Sequence, residues 1–497
     1  MSEPFSFLPH PFSHTDDDKM REECGVFGIF SDPDAADHAA LGLHALQHRG
    51  QESAGVVSCD GSTFYTHKGL GHVHRVFKAR SENLHLPGSM AIGHVRYATS
   101  GDGAERNVQP LYADLACGGI AIAHNGNLTN AQTLRRQLVD SGCIFQSSSD
   151  TEVIIHLMAR SSKASLHDKL VDALSRVEGA YSLVIMTANA VIGVRDPHGY
   201  RPLVLGSHGN ATLFASETCA LDIINADYVR DIEPGEIVEV KNTGLTSYFP
   251  FPSVRRRFCI FEYIYFARPD SVCEGASVYD IRKKTGRELA RESATAADVV
   301  VPVPDSGIPA ALGYAEQSGI PFELGIIRNH YVGRTFIQPT RKTRDLGVRR
   351  KHNANRLYLQ GKRVILIDDS LVRGTTSARI VDMVRQAGAS EVHLRIASPP
   401  TEWPCYFGID TPERHSLLAA RFDTPGMADA LGVDSLAFLS LDGLYRAAGH
   451  EKRHDEAGFC DACFTGQYAS VITDHKIRNE EKHPSQPHDH KEIAYQT

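Results

Sequence analysis

One stretch of the chain, VILIDDSLVRGTTS at residues 364–377, restricts the possible fold more than any other. Its apolar residues form a short buried strand, two acids follow directly, and Gly-Thr-Thr-Ser opens a helix after a brief loop. Buried strands that alternate with helices are typical of a parallel α/β sheet. Ligands bind beyond the carboxyl ends of the strands in such sheets, so Asp368 and Asp369 are predicted to face a ligand.

The helix start after these acids has the chemistry of a phosphate site. Backbone N–H groups, hydroxyls and the positive end of the helix dipole can face an anion there, and the acids can hold ribose hydroxyls or Mg²⁺. An exposed strand end before an ordinary helix cap is the alternative, but strand, acids and helix start occur together and in order. The predicted phosphate-binding residues are Gly374, Thr375, Thr376 and Ser377.

This stretch resembles the binding signature of the type I phosphoribosyltransferases, whose substrate is 5-phosphoribosyl pyrophosphate (PRPP). The resemblance implies a doubly wound parallel sheet within residues 254–470 and a pyrophosphate loop in VVVPVPDSG at 299–307. PRPP would contact Asp305 and Gly307 of that loop, the acid pair and the helix start. The ligands of one Mg²⁺ per subunit would be Ser306, Asp368 and Asp369.

A strongly basic segment, residues 328–351, lies between the pyrophosphate loop and the acid pair. It carries eight Lys and Arg residues against one acid, whereas the whole chain has a formal net charge of −8. A nucleic-acid site would need a basic surface beyond this one segment. We expect instead a lid that closes over the polyanionic substrate and excludes water.

The first part of the chain, residues 24–253, has short apolar runs separated by glycine and asparagine. Runs such as CGVFGIF at 24–30 and GGIAIAHNGNL at 118–128 predict strands of one or more sheets. Helical periodicity falls between strands, as in ADHAALGLHALQHRG at 36–50. The proline-containing, basic stretch TSYFPFPSVRRRFC at 246–259 separates this part from the second domain.

Four motifs of this part occur in order: CGVFGI at 24–29, GHVRYAT at 93–99, HNGNL at 124–128 and SSSDTE at 147–152. Asn-Gly alone would suit a hairpin turn, but the set resembles the class II glutamine amidotransferases, which use an N-terminal cysteine nucleophile. The resemblance implies an Ntn-hydrolase-type αββα sandwich with Cys24 as the nucleophile. The implied oxyanion donors are Asn125 and Gly126, and the implied partners of the glutamine α-carboxylate and α-ammonium are Arg96 and Asp150.

The leader, residues 1–23, ends in Glu22-Glu23 directly before Cys24. A disordered tail before a buried cysteine is one interpretation. The chemistry favours another, because a thiol of pKa about 8.5 needs a base, and the α-amine of the same residue, with a pKa of about 7.7–8.0, can serve. That amine is free only after cleavage at Glu23–Cys24, so the leader is predicted to be a propeptide.

The pairing of the two domains carries a further resemblance, to the iron–sulfur-containing type of glutamine PRPP amidotransferase. These enzymes convert PRPP, glutamine and water to 5-phosphoribosylamine, glutamate and pyrophosphate, the first committed step of purine synthesis. The resemblance implies a homotetramer with purine-nucleotide feedback inhibition. An amidotransferase with a sugar-phosphate acceptor conflicts with residues 364–377. A regulatory PRPP-binding protein with an inactive glutaminase half conflicts with the intact catalytic set.

Four of the ten cysteines have settings that suggest a metal centre. Cys460 and Cys463 form a C-x₂-C pair, and the flanks of Cys259 and Cys405 match cluster-bearing members of this family. By residue type, four thiolates suit Zn²⁺ as well as a 4Fe–4S cluster, and the resemblance favours one cluster per subunit. The other cysteines are predicted to be buried apolar residues: Cys59, Cys117, Cys143, Cys219 and Cys273.

Composition limits the remaining possibilities. The isoelectric point near 6.3 gives no sign of a general nucleic-acid binder, and no apolar stretch approaches the roughly 20 residues that span a bilayer. The leader is acidic at 16–18 and lacks the apolar core of a secretory signal. We expect a cytoplasmic enzyme with small-molecule substrates. Residues 471–497 are polar and histidine-rich and are predicted to form a disordered tail.

Overall fold

The computed structural model describes the backbone of 494–495 and residues 24–77, 86–97, 105–329, 352–454 and 458–474. The predicted propeptide, most of the basic segment and most of the predicted tail lie outside the described residues. Within the described ranges, no helix is long and apolar enough to cross a membrane.

The N-terminal domain contains two antiparallel sheets flanked by helices. Its strands are β1 Gly25–Phe30, β2 Ser53–Cys59, β3 Phe64–Leu70, β4 Met90–Arg96, β5 Leu111–Leu115, β6 Gly118–Leu128, β7 Gly179–Thr187, β8 Ala190–Arg195, β9 Val204–His208, β10 Ala211–Ala215, β11 Asp227–Asp231, β12 Ile237–Lys241 and β13 Gly244–Tyr248. Its helices are α1 Ala35–Ala45, α2 Val73–Val76, α3 Ala131–Asp140, α4 Thr151–Arg160, α5 Leu166–Leu174 and α6 Cys219–Asp222, with a 3₁₀ turn at Glu105–Asn107.

The strand order is β11-β9-β10-β1-β4-β2-β3 in the first sheet and β13-β12-β8-β7-β6-β5 in the second. Side chains alternate across each strand. In β1, Val26 and Phe30 pack between the two sheets, whereas Phe27 and Ile29 pack with residues of α1. A further cluster fills the space between the second sheet and helices α3 to α5. The predicted αββα sandwich is therefore confirmed.

The C-terminal domain is built on a parallel sheet. Its strands are β14 Phe258–Cys259, β15 Val272–Cys273, β16 Ala276–Ser277, β17 Val299–Pro302, β18 Ile326–Arg328, β19 His352–Ala354, β20 Arg363–Asp368, β21 Glu391–Ile396, β22 Ser435–Phe438, β23 Phe459–Cys460, β24 Gln467–Tyr468 and β25 Ala494–Tyr495. Its α-helices are α7 Val278–Glu292, α8 Ile308–Ser318, α9 Arg356–Leu359, α10 Thr375–Gln386, α11 Thr424–Leu431, α12 Leu441–Ala447 and α13 Ala462–Thr465. A π-helical turn covers Glu262–Phe266, and 3₁₀ turns cover Arg414–Ser416 and Leu418–Ala420.

The central sheet of this domain has the order β17-β20-β21-β22, with every pair parallel. In β20, Ile365 and Ile367 pack with residues of α7 and α8, whereas Val364 and Leu366 pack with residues of α10 and α11. Because helices cover both faces, the strand has no polar side, which explains the continuous apolar run in its sequence. The predicted doubly wound parallel sheet is confirmed.

The end of the chain returns to the beginning of this domain and then to the N-terminal domain. Strand β23 pairs in parallel with β14 and sets Cys460 beside Cys259. Further on, the Asp474 carboxylate accepts hydrogen bonds from the backbone N–H groups of Gln132 at 2.8 Å and Thr133 at 3.0 Å. The packed chain therefore continues past the predicted boundary at residue 470, and β25 pairs with β24 from within the predicted tail.

Candidate active sites and metal centre

Cys24 lies directly before β1 and is buried, with 8% of its surface exposed. Gly25 pairs with Val95 of β4, so the antiparallel register brings Cys24 opposite Arg96. The Cys24 thiol donates to the Tyr97 carbonyl, with Sγ and oxygen 3.6 Å apart. Burial raises the pKa of this thiol to about 11, against the opposing effects of the hydrogen bond and the Arg96 charge. The thiol therefore stays protonated at neutral pH unless a base takes its proton.

The two predicted glutamine-binding residues lie within electrostatic range of this thiol. Arg96 ends β4 and is 4% exposed. Asp150 precedes α4, and its carboxylate accepts the backbone N–H groups of Leu128 at 3.0 Å and Thr151 at 2.9 Å. Burial raises the pKa of Asp150, but the His124 charge and the hydrogen bonds outweigh it, so the pKa lies below its usual value. A guanidinium and an ionised carboxylate suit the two charged groups of an α-amino acid.

Asn125 and Gly126 lie near the end of β6, in the second sheet. Asn125 is completely buried, yet among the described residues neither its amide nitrogen nor its amide oxygen has a hydrogen-bond partner. An unpaired buried polar group costs about 1–3 kcal/mol, so this amide indicates a ligand. Gly126 has φ +145°, and a Cβ there would lie 2.2 Å from the Ala180 carbonyl oxygen, so glycine is required.

Two buried histidines that the sequence analysis did not single out support this part of β6. The Nε2–H of His94 donates to the His124 carbonyl at 3.0 Å and so joins the two sheets. The His124 ring contacts the Thr151 hydroxyl at 3.1 Å and the Ala180 carbonyl at 3.3 Å. Burial lowers the pKa of His94 to about 3, so its ring is neutral. Both histidines lie inside predicted motifs, His94 in GHVRYAT and His124 in HNGNL, and this position was the sequence signal that could have identified them.

The acid pair of the second domain lies at the carboxyl end of β20. Asp368 and Asp369 are 1% and 2% exposed, and the Asp369 N–H donates to the Asp368 carboxylate at 3.0 Å. Arg282 of α7 is buried close by: burial lowers the pKa of its guanidinium, and the Asp369 charge opposes that effect. The acid pair therefore lies within electrostatic range of a buried cation that the sequence analysis did not identify.

The predicted pyrophosphate loop lies at the same edge of the sheet. Gly307 packs on the end of β20, where a Cβ would lie 2.4 Å from the Ile367 carbonyl oxygen. Asp305 is exposed and forms an ion pair with Arg328 of β18, and Ser306 is half-buried between Asp305 and Gly307. The remainder of the predicted lid after residue 329 lies outside the described residues.

The predicted phosphate turn begins helix α10 next to these groups. Gly374 has φ +82°, a conformation that favours glycine. It provides no side-chain cap, so a phosphate can cap this helix. Gly374 and Ser377 are buried, and Thr375 and Thr376 are half-buried.

The four predicted cluster cysteines come together from three separate parts of the chain. Cys463 lies in α13, and its carbonyl accepts hydrogen bonds from the backbone N–H groups of Glu402 and Trp403, both at 3.0 Å. These bonds hold the segment that contains Cys405 next to α13. Burial raises the pKa of each thiol, to about 12 for Cys460, and the charges of the other three thiols raise that of Cys463 further. In the described part of the chain, no three His, Cys, Asp or Glu side chains are placed to bind one metal ion.

The prediction for the other cysteines is correct for three and wrong for two. Cys59, Cys219 and Cys273 are buried. Cys117 is exposed because it lies in the turn between β5 and β6, and Cys143 is half-buried after α3.

A buried ionic network, which no local pattern predicted, joins the two domains. Arg49 and Arg201 of the N-terminal domain form ion pairs with Glu262 of the C-terminal domain, and Arg49 also pairs with Glu217. The Nε–H of Arg49 donates to the Cys24 carbonyl at 3.4 Å. Removal of one partner from such a pair costs about 3–5 kcal/mol, so the network links Cys24, the predicted nucleophile, to the domain interface.

Comparison with known proteins covers both domains. Residues 94–222 match the family model of a glutamine amidotransferase domain, and residues 276–397 match that of a phosphoribosyl transferase domain. An amidophosphoribosyltransferase of Rhizobium etli is 56% identical over 466 residues, which cover 92% of this chain and 94% of that protein. That of Bacillus subtilis is 50% identical over 454 residues, which cover 91% and 95%. The chain belongs to the amidophosphoribosyltransferase family.

Solved amidophosphoribosyltransferase structures share this fold. The glutamine PRPP amidotransferase of Bacillus subtilis, complexed with ADP and GMP, matches with a TM-score of 0.86 and 49% identity, over 90% of this chain and 98% of that one. A structure described as the allosteric regulatory enzyme of purine biosynthesis gives 0.87 and 50%, over 90% and 97%. As an amidophosphoribosyltransferase, the chain transfers ammonia from glutamine to PRPP in the first step of purine biosynthesis, and the predicted activity is confirmed.

Proposed function

We propose that glutamine is hydrolysed at Cys24 and that the ammonia attacks C1 of PRPP held at Asp368 and Asp369. The observation that carries the glutaminase assignment is the completely buried Asn125 amide, which has no hydrogen-bond partner within the described residues. A donor that is fixed in place before the reaction is what a developing oxyanion requires.

In the proposed glutaminase reaction, the α-amine of mature Cys24 accepts the thiol proton, because the buried thiol has a pKa of about 11 and stays protonated without a base. The thiolate attacks the amide carbon of glutamine, and Asn125 Nδ2 and the Gly126 N–H donate to the oxyanion. The α-ammonium of Cys24 then returns this proton to the amide nitrogen, which leaves as ammonia, and the tetrahedral intermediate collapses to a thioester. Water then hydrolyses the thioester to glutamate. Arg96 and Asp150 hold the α-carboxylate and α-ammonium of the substrate.

In the proposed phosphoribosyl reaction, the C1–oxygen bond of PRPP breaks, ammonia forms the C1–nitrogen bond, and the new ammonium loses one proton to the departing pyrophosphate to give the amine. The loop at Asp305 and Gly307 would receive the pyrophosphate, with Arg328 beside it. The start of helix α10 would hold the 5′-phosphate with its N–H groups and dipole. The acid pair would accept hydrogen bonds from the ribose hydroxyls.

One Mg²⁺ per subunit is proposed at Ser306, Asp368 and Asp369. Magnesium is usually bound by one or two carboxylates together with substrate phosphates, so two buried carboxylates are a suitable set even without a complete protein cage. When bound, the ion would neutralise charge on the departing pyrophosphate.

A 4Fe–4S cluster is proposed at Cys259, Cys405, Cys460 and Cys463. A zinc ion bonded to four thiolates at about 2.3 Å would hold the sulfurs about 3.8 Å apart. A cubane instead binds each thiolate through a different iron, which keeps the sulfurs further apart. The support for this proposal is that the charges of Cys259, Cys405 and Cys460 all act on Cys463, so that the four thiols lie within electrostatic range of one site. The choice of a cluster over zinc follows the family resemblance of the sequences around Cys259 and Cys405.

Maturation, regulation and location complete the proposal. Cleavage at Glu23–Cys24 would supply the α-amine of Cys24. Purine nucleotides are proposed as feedback inhibitors, since the related Bacillus subtilis structure contains ADP and GMP. A homotetramer is proposed from the family resemblance. A cytoplasmic location would keep the cluster thiols reduced. A relative from Arabidopsis thaliana, 49% identical over 480 residues that cover 96% of this chain and 84% of that protein, is named chloroplastic.

Replacement of Asn125 by Ala tests the assignment. Loss of one oxyanion donor should lower the kcat for glutamine about 10²- to 10³-fold. Synthesis of phosphoribosylamine from added ammonia should continue, because that reaction needs no oxyanion hole. Asn189→Ala, in an exposed turn between β7 and β8, is the control. An Asn125→Ala enzyme with normal glutamine kcat would overturn the assignment.

A further inference from the structure

A segment of the C-terminal domain crosses to the N-terminal domain and packs on the proposed oxyanion hole; we call it the contact segment (residues 403–409). The side-chain amide of Asn127 donates to the Tyr406 carbonyl oxygen at 2.9 Å. Asn127 directly follows Gly126 in β6. The contact segment therefore holds the strand one residue away from a proposed oxyanion donor.

The same segment touches the backbone of Gly126. Gly408 has φ +110°, and a Cβ there would lie 3.0 Å from the Gly126 Cα and 3.1 Å from its carbonyl carbon. A Cβ on Gly126 would lie 2.2 Å from the Ala180 carbonyl oxygen. The Gly126 backbone is thus in close contact with both Ala180 and Gly408, which restricts the movement of its peptide group.

The contact segment is itself firmly anchored. The Phe407 ring stacks on Tyr200 of the N-terminal domain, with centroids 4.2 Å apart and planes inclined by 15°. The Tyr468 hydroxyl donates to the Pro404 carbonyl at 2.5 Å, and the backbone N–H of Trp403 donates to the Cys463 carbonyl at 3.0 Å. A segment fixed at Trp403, Pro404 and Phe407 can hold a neighbouring strand in position.

We propose that the contact segment is a positioning element of the oxyanion hole, in which Asn127 and Gly408 fix the direction of the Gly126 N–H. The inference rests on the proposed role of Gly126. Glycine has more backbone freedom than any other residue, whereas a catalytic donor must be held within about 0.5 Å and 10–20° of its productive geometry. The contact therefore stabilises the transition state and leaves glutamine binding unchanged.

Replacement of Asn127 by Ala removes the bond to Tyr406. The kcat for glutamine hydrolysis should fall about 10-fold or more, while the KM for glutamine should change less than about twofold, because Arg96 and Asp150 are intact. A γ-aldehyde analogue of glutamine, to whose carbonyl carbon the Cys24 thiol adds, forms a tetrahedral oxyanion-like adduct. Its affinity should fall by the same factor as kcat. Ammonia-dependent synthesis should be unchanged.

The matched control is Asn130→Ala. The Asn130 amide donates to the Arg176 carbonyl at 3.0 Å, within the N-terminal domain, so its loss should lower thermal stability and leave glutamine kcat unchanged. Gly408→Ala is a second variant that should act in the same direction as Asn127→Ala.

The outcomes separate two failures. A wild-type enzyme that does not hydrolyse glutamine would overturn the proposed function itself. If the wild type hydrolyses glutamine and Asn127→Ala keeps both kcat and aldehyde affinity, the positioning role is wrong. An Asn127→Ala enzyme that loses glutamine- and ammonia-dependent activity by equal factors would also overturn it, because that pattern indicates a general structural defect.

Discussion

The glutaminase site and the PRPP site expose their polar groups to different degrees. At the proposed glutaminase site, Cys24, Arg96, Asn125 and Asp150 are all 8% exposed or less, and Arg96 and Asn125 come from different sheets of the sandwich. At the proposed PRPP site, the acid pair is equally buried, but the Asp305 side chain is 49% exposed, and Thr375 and Thr376 of the phosphate turn are half-buried.

The difference follows the chemistry of the two substrates. Charge that develops on an amide oxygen is stabilised best by fixed donors in a site without water. A substrate with several phosphates must instead enter with its charges hydrated, so its site needs an open rim that closes later. The first site is buried throughout, whereas the second combines a buried acid pair with an exposed loop.

Replacement of Cys24 by Ser tests whether the two sites function separately and should have the largest effect. Glutamine-dependent activity should fall more than about 10³-fold, because the nucleophile is lost. Ammonia-dependent activity should persist, and steady-state assays with each nitrogen donor measure both. Cys117→Ser, at an exposed turn, is the control. Loss of both activities would show that Cys24 maintains the fold of both domains.

Changes to the acid pair test the opposite site. Asp368→Asn or Asp369→Asn should lower kcat/KM for PRPP on the order of 10²-fold with either nitrogen donor, since the ribose and Mg²⁺ lose a buried carboxylate. Asp382→Asn, at an exposed position of the following helix α10, is the matched control. Normal PRPP kinetics in both acid variants would remove the site assignment.

Replacement of Cys405 by Ser tests whether the two domains depend on a common metal centre. The purified variant should lose about four irons per chain and its visible absorbance, and its melting temperature should fall, because cluster binding contributes to folding. Cys143→Ser should leave iron content unchanged. A colourless, fully active wild-type protein with one zinc per chain would show that the proposed metal is wrong.

Acid titration tests the buried interior of the N-terminal domain, where His94 is completely buried, and should have the smallest effect. His94 has a pKa of about 3 when folded and about 6.5 when unfolded, so between these values the unfolded state binds more protons. The free energy of unfolding should therefore fall by up to about 1.4 kcal/mol per pH unit as the pH drops below 6.5. Denaturant titrations of wild type and His94→Gln at pH 7 and pH 5 measure this, and equal slopes in both proteins would contradict it.

Local motifs were sufficient to predict the fold and the position of most candidate residues. The run Val364 to Ser377 specified a strand, an acid pair and a helix start, because neighbours along a chain have a geometry fixed by the strand and helix themselves. The four N-terminal motifs likewise predicted which strands would carry Cys24, Arg96 and Asn125. The prediction that Cys117 is buried was wrong because it rested on residue type alone, whereas the turn between β5 and β6 exposes this side chain.

The tertiary structure alone decided what brings distant parts of the chain together. It joined Arg49 and Glu262 across the domain interface, assembled four cysteines from three stretches, and placed Gly408 on Gly126. None of these contacts produces a periodic pattern in the sequence, because each links residues that are far apart along the chain. Their distance in space is set by tertiary packing. The sequence therefore determined the chemistry of each site, and the packing of the domains determined how the sites are connected.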